Sequence, residues 1–300
     1  MVGVRVEDRR LNGRVVLMVA AGSSIDDNVA TMPFTLAHPA AVIPIARRFG
    51  RYVVPSALVI GSVSPDLAYF LPLRVSRGGS HSFAGLLWFC LPVGFAVYLL
   101  FHLVLERPLV SLLPTWVARR LTGVLCAPRR LPAVPWPAVL ASLVVGALTH
   151  LGWDAFTHDG APAVRSIGAL HAQLCSIGPY PVLVYKVLQH ASTLFGTALL
   201  IVWASRWLRQ APMQVADPTL FLAPWKRVTA VAVILGLPLC AGLAAGLLAI
   251  AHPITLPALQ VSVWRSVVFS ISALGVAVCS FSLVWHLRIP AGRRNTRYCP

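Results

Sequence analysis

The chain alternates long apolar runs with short arginine-bearing stretches. Five runs, at about residues 83–105, 137–156, 182–208, 228–251 and 264–287, each hold the roughly 20 apolar residues a helix needs to cross a hydrocarbon core. A sixth, at 53–73, has the length but is broken in its middle by Gly61-Ser62-Val63-Ser64-Pro65-Asp66. Pro65 disfavours helix at Ser64, and an aspartate at that depth is costly unless it is paired or coordinates a cation. Ahead of it, residues 36–49 read as a short amphipathic helix. Pro39 suits its first turn, and Arg47 and Arg48 stand at its end, where the helix dipole favours cations. Trp136, Trp153, Trp203, Trp207, Trp225, Trp264 and Trp285 fall near run ends, as an aromatic belt does. Gly236, Gly242 and Gly246 predict close helix packing in the fourth clean run. Together these features predict an all-α, polytopic transmembrane helical bundle of about five or six spans, with one broken or re-entrant helix near residues 53–73.

Composition supports that class. The 300 residues are 57% hydrophobic and 11% charged, where a soluble domain carries roughly 25% charged residues. The net charge of +16 comes from arginines set in loops rather than along a groove-reading surface, which argues against a nucleic-acid partner. Arg107, Arg119, Arg120, Arg129 and Arg130 follow the first clean run, Arg206, Arg209, Lys226 and Arg227 the third, and Arg288, Arg293, Arg294 and Arg297 the fifth. The alternate loops are poor in cations. The positive-inside rule assigns the rich loops, and with six spans both termini, to the cytoplasm. The six cysteines form no CxxC and no disulfide framework. No phosphate-binding GxxxxGK[ST], GxGxxG or GxSxG elbow is present. Residues 1–31 hold four of the nine acids and read as a disordered extension or as sequence ahead of a start at Met32.

The strongest chemical signal ends the second clean run: Leu148-Thr149-His150-Leu151-Gly152-Trp153-Asp154-Ala155-Phe156-Thr157-His158. On a helix, His150, Asp154 and His158 share one face, one turn apart. Imidazole and carboxylate are ligands for zinc and its neighbours. Loop arithmetic carries His81 and the outer half of the broken run, with Asp66, to the same extracytoplasmic end. Asp66, His81, His150 and Asp154 are thus the expected ligands of one divalent metal, zinc by donor type, with His38 or His158 supplementing. A full crossing at 53–73 leaves His38 on the wrong side; a re-entrant segment returns it. Asp159 or His158 is expected to act as general base, and Arg74, Arg77 and Arg165 to pair with a phosphate. The chemistry would suit a phospholipid headgroup or another phosphoester at the bilayer surface. The alternative is a non-catalytic structural partner or transporter, its polar residues serving as interhelical contacts. A third reading pairs His102 with His286 around a haem.

The motifs also carry a resemblance. Met32-Pro33-Phe34-Thr35-Leu36-Ala37-His38-Pro39-Ala40, then Gly61–Asp66, Ser80-His81-Ser82 and Gly146–His158 are similar to an uncharacterised bacterial integral membrane family, the domain of unknown function 4184. The likeness covers most of residues 32–210 and leaves residues 211–300 as two further transmembrane helices. It implies a bacterial inner-membrane location. More distantly, the order of motifs resembles inner-membrane metal-dependent hydrolases related to zinc-dependent phospholipase C. That resemblance implies ligand roles for His38, Asp66, His81, His150 and Asp154. Two positions depart from it: Ala68 stands where a second acid is usual, and Arg77 and glycines stand where an extra histidine is usual.

Overall fold

The computed structural model describes residues 36–73, 75–125, 135–178, 180–214, 222–250 and 255–288. The expectations for residues 1–31, for the Met32–Thr35 opening and for Arg74 lie outside these. The described chain is a helical bundle with one small hairpin. Five of its helices are long and apolar enough to cross a membrane.

Prolines punctuate the first half. A 3-10 turn at His38–Val42 carries Pro39 in its first positions and leads into α1 (Ile43–Phe49). Helix α2 (Pro55–Val63) opens on Pro55, where a missing N–H costs nothing. It gives way to a 3-10 turn at Ser64–Asp66 and a last short helix, α3 (Leu67–Phe70). The break has a local cause. Pro65 has no N–H for the Gly61 carbonyl, so that carbonyl accepts the Ser64 hydroxyl at 2.8 Å and the Ser64 N–H instead. The expected broken segment is therefore observed, and it belongs to a helical hairpin. The chain leaves His38 along α1, turns, and returns along α2 to Asp66.

After the one-turn helix α4 (Arg77–Ser80), α5 (Phe83–Leu112) runs longer than expected and contains π-helical segments at Leu86–Cys90 and Phe101–Leu105. The arginine-rich stretch beyond it, read as loop, begins with a further helix, α6 (Thr115–Leu125). Then come α7 (Trp136–Thr157) and a short α8 (Pro162–Ser166). An antiparallel hairpin of β1 (Gln173–Ile177) and β2 (Tyr180–Leu183), not expected from the pattern, turns at Gly178 with φ +60°. Helices α9 (Val184–Gln210), α10 (Pro224–Leu247) and α11 (Leu256–Arg288) complete the order.

The centre of the bundle is α2 lying parallel to α7, with α5 antiparallel beside them. Two glycines set the close approach. A Cβ on Gly61 would run into the Leu143 carbonyl, and one on Gly146 into the Leu58 carbonyl. The Val54 N–H donates to Ser142 Oγ at 2.9 Å, and Ser142 donates to the Ala138 carbonyl at 2.6 Å. Val54, Ala57, Tyr98, Val139 and Leu143 form one apolar cluster; Ala68, Leu86, Phe89, Cys90 and Ala147 form a second, beneath the polar end. In α10, Gly242 and Gly246 do face Ser266 and Ser270 of α11 closely, whereas Gly236 faces open space. Trp153 is no belt residue either: its indole N–H reaches Ser192 Oγ at 3.2 Å and its ring packs edge-on to His38. Leu194, Phe195, Leu237 and Leu247 are exposed along the late helices, the surface a lipid environment covers.

Because the obstruction at Gly146 is backbone, Gly146→Ala must push α2 from α7. The expected loss is about 1–3 kcal/mol, read as a lower melting midpoint of the detergent-solubilised chain. Gly236→Ala, with nothing near its Cβ, leaves that midpoint unchanged.

Candidate metal centre

The site is built where four elements meet. Helix α7 stops after Thr157 because His158 takes extended backbone angles (φ −117°, ψ 145°), its N–H still bonded to the Asp154 carbonyl at 3.2 Å. Gly160, at φ +65°, turns the chain away. The final turns of α7 thus present His150 and Asp154 inward, with His158 capping them. From α2, the Ser62 carbonyl stands at the break before the 3-10 turn and accepts His150 Nδ1–H at 2.8 Å. In α4, Ser76 Oγ caps the Gly79 N–H at 3.2 Å. Gly85 packs so closely on the Gly79 carbonyl that a Cβ would not fit. His81 follows, donating through Nδ1 to Ser80 Oγ at 2.9 Å while Ser80 donates to the Arg77 carbonyl at 3.3 Å. His38, in the 3-10 turn, stacks on His150 with ring centroids 3.7 Å apart.

Asp154 is the hub. Its Oδ1 lies 3.1 Å from His38 Nε2 and 3.2 Å from His158 Nδ1. Its Oδ2 accepts from Arg77 at 2.9 Å and lies 3.6 Å from His81 Nε2 and 3.5 Å from His150 Nε2. Asp66 Oδ1 faces the same two nitrogens, at 3.3 Å from His81 and 3.6 Å from His150. Two carboxylate oxygens and two imidazole nitrogens therefore form a ring with edges of 3.3–3.6 Å. These four edges are near the roughly 3.3 Å that separates ligand atoms around tetrahedral zinc, while the groups whose donor atoms all come within 4.8 Å of one another are sets of three.

The tautomers make the fit specific. In the neutral form, His150 carries its proton on Nδ1, because the Ser62 carbonyl only accepts, and Ser80, which donates to the Arg77 carbonyl, sets the same tautomer for neutral His81. Both Nε2 atoms then aim lone pairs at carboxylate oxygens, and both are buried without a hydrogen-bond partner. Lone pairs facing carboxylates in a buried site repel unless a proton or a metal cation lies between them. Burial, opposed by Asp66, holds the His81 imidazole below its usual pKa range, so the ring is in the neutral form that ligates metals. Donor atoms of Asp66, His81 and His150, and those of His38, His150 and Asp154, each lie within 4.8 Å of one another. The outer partners, Ser62 O and Ser80 Oγ, fix ring orientation as metal sites require.

Of the residues singled out in the sequence, His38, Asp66, His81, His150, Asp154 and His158 come together. Asp159 does not: its carboxylate is 59% exposed and stands 3.7 Å from His171. Arg165 is exposed and covers the Gly160 turn. Arg77, read as a phosphate ligand, is bonded to Asp154, and its side chain is 22% exposed. The haem pairing is not supported. His286 Nε2 donates to the Val104 carbonyl at 2.9 Å, and His102 is held between Ser56 and Glu106. The orienting hydroxyls and the Ser62 carbonyl went unread in the sequence, since such partners carry no side-chain signature.

Fold and site together define a polytopic helical membrane protein with a buried histidine–aspartate cluster able to hold a cation. The chain belongs to the family described as a domain of unknown function, DUF4184, whose model matches residues 32–283 and so takes in every residue of the cluster and α10 as well. No curated protein and no solved structure matches the chain.

Zinc added to the metal-stripped chain is expected to raise its melting midpoint, by about 2.7 kcal/mol of stability at a concentration 100 times its Kd. Asp66→Asn and His150→Ala should abolish the shift, and Asp159→Asn should leave it intact.

Proposed function

We propose that the chain is a membrane-embedded metal-dependent hydrolase that cleaves a phospholipid headgroup or another phosphoester at the bilayer surface. The observation that carries the reading is the ring formed by Asp66, His81, Asp154 and His150, with two orphaned imidazole nitrogens facing two carboxylates. Zinc suits this donor set. When bound, such a cation supplies Lewis acidity and brings a water's pKa toward neutrality.

The remaining roles fall to the chain's own side chains. His158 Nδ1 is held by Thr157 Oγ1 at 3.1 Å and lies 3.2 Å from Asp154 Oδ1, which orients the ring and leaves Nε2 to take a proton from water and return it to the leaving oxygen. Asp159, turned to solvent beside His171, leaves the base role to His158. Arg77 is committed to Asp154, and the exposed Arg165, over the Gly160 turn, remains to pair with a phosphate oxygen. The departures from the hydrolase-like pattern fit a single cation: Ala68 sits in an apolar cluster, and Arg77 places a fixed positive charge on Asp154. The positive-inside rule, applied to the five long helices, assigns the site to the extracytoplasmic face of a bacterial inner membrane and the end of α11 to the cytoplasm; the α1–α2 hairpin, which makes no net crossing, leaves His38 on the site's side in place of the expected cytoplasmic N-terminal end.

A second reading, a non-catalytic protein using these groups as interhelical ties, draws on the Arg77–Asp154 and His38–Asp154 bonds, which join separate elements. Turnover separates the two. The zinc-loaded chain in phospholipid vesicles should release phosphorylated headgroup or hydrolyse a chromogenic phosphoester. His158→Gln should lower kcat about 10²–10⁴-fold while zinc stays bound. A zinc-loaded chain inert toward the whole substrate panel would favour the second reading.

A further inference from the structure

We propose that Ser56, His102 and Glu106 form a second catalytic centre, a nucleophile–base–orienter relay that cleaves a carboxylic ester of an anionic amphiphile. Ser56 lies in the first turn of α2, ten residues before Asp66, so about 15 Å of helix separates this centre from the cation cluster. Ser56 Oγ is 3.0 Å from His102 Nε2, and His102 Nδ1 is 3.0 Å from Glu106 Oε2. A carboxylate only accepts, so His102 Nδ1 carries the proton toward Glu106 and Nε2 accepts from the Ser56 hydroxyl. That is the tautomer and connectivity a general base needs to activate a serine.

Three further features separate this arrangement from an ordinary interhelical contact. His102 sits in the π-helical segment Phe101–Leu105, and such segments concentrate at functional sites. Ser56 and Ala57 are the second and third residues of the nine-residue α2, and its N-cap offers no side-chain acceptor. Their N–H groups therefore lack intrahelical acceptors and, with the positive end of the helix, suit a developing oxyanion. The three side chains are also only partly buried: His102 is 26% and Glu106 14% exposed, and Ser56 is intermediate. Tyr98, itself buried, packs edge-on to His102 with ring centroids 4.5 Å apart and closes the inner wall.

The approach to Ser56 indicates the substrate class. Just ahead of it the chain exposes Phe49 and Tyr52, with the Arg48 and Arg51 guanidiniums over those rings at 5.5 and 4.6 Å. Apolar rings beside fixed cations suit an acyl chain with an anionic group. In the reaction, Ser56 Oγ bonds to the acyl carbon as its proton passes to His102 Nε2. The alcohol leaves with that proton as the C–O bond breaks. Water then gives a proton to Nε2 and attacks the acyl carbon, and Ser56 departs with the proton, freeing the carboxylic acid.

A fluorophosphonate probe reads the first step directly, since Oγ displaces fluoride from phosphorus while His102 takes the proton. The full chain, purified in detergent with EDTA present, is to be labelled and its peptides mapped by mass spectrometry. The expected result is one adduct on Ser56, absent in Ser56→Ala and formed about 10²–10⁴-fold more slowly in His102→Gln. Both variants are checked for an unchanged size-exclusion profile. A wild-type chain without an adduct on Ser56, or a labelling rate that His102→Gln does not alter, overturns the proposal. Because the chelator removes any cation, the outcome is independent of the metal centre.

Discussion

One buried carboxylate, Asp154, and one partly buried, Asp66, dictate much of what surrounds them in this membrane protein. Removing a carboxylate from water costs several kcal/mol even after relaxation, and in a low-dielectric interior the cost falls only if opposite charge and hydrogen bonds replace the lost solvent. Asp154 meets that demand with His38, His158 and Arg77. Asp66 has no such set. Its Oδ1 faces the Nε2 atoms of His81 and His150, whose Nδ1 atoms bond Ser80 Oγ and the Ser62 carbonyl. A metal cation between these groups, or a proton on an Nε2, joins them, and the architecture brings the members of the cluster together.

Each structural device near the site serves that convergence. Pro65 ends α2 where the Ser62 carbonyl is needed for His150. Gly61 and Gly146 let α2 and α7 approach to backbone contact, so that residues from helices far apart in sequence share one pocket. The α1–α2 hairpin brings His38 and Asp66 to the same end without a full crossing between them. The tight packing of Gly85 on α4 presses His81 inward. The same parallel α2–α7 pair, tied at its other end by Val54 and Ser142, leaves the start of α2 beside His102.

Much of this was legible in the sequence, because hydropathy and helical spacing act locally. The five long runs, the break at Pro65 and the shared face of His150, Asp154 and His158 all follow from short-range rules. The alternation of arginine-rich loops was enough to bring Asp66 and His81 to that face. What could not be read depends on tertiary contact. Asp159 is adjacent to His158, but Gly160 turns the chain and leaves its carboxylate in water. Arg77 looked like a ligand for substrate and is bonded to Asp154. The His102–Glu106 spacing was present, yet its meaning depends on Ser56, 46 residues away. The β1–β2 hairpin, exposed on nearly all its residues, carries no core pattern to announce it.

The central claim is that Asp66, His81, His150 and Asp154 surround one divalent cation. X-ray absorption spectroscopy of the full chain loaded with one equivalent of zinc tests it most directly. The account predicts only nitrogen and oxygen neighbours at about 2.0–2.1 Å, two of them imidazoles, with one imidazole lost in His81→Ala. Failure to retain zinc, a sulfur neighbour, or a spectrum unchanged by His81→Ala would contradict it.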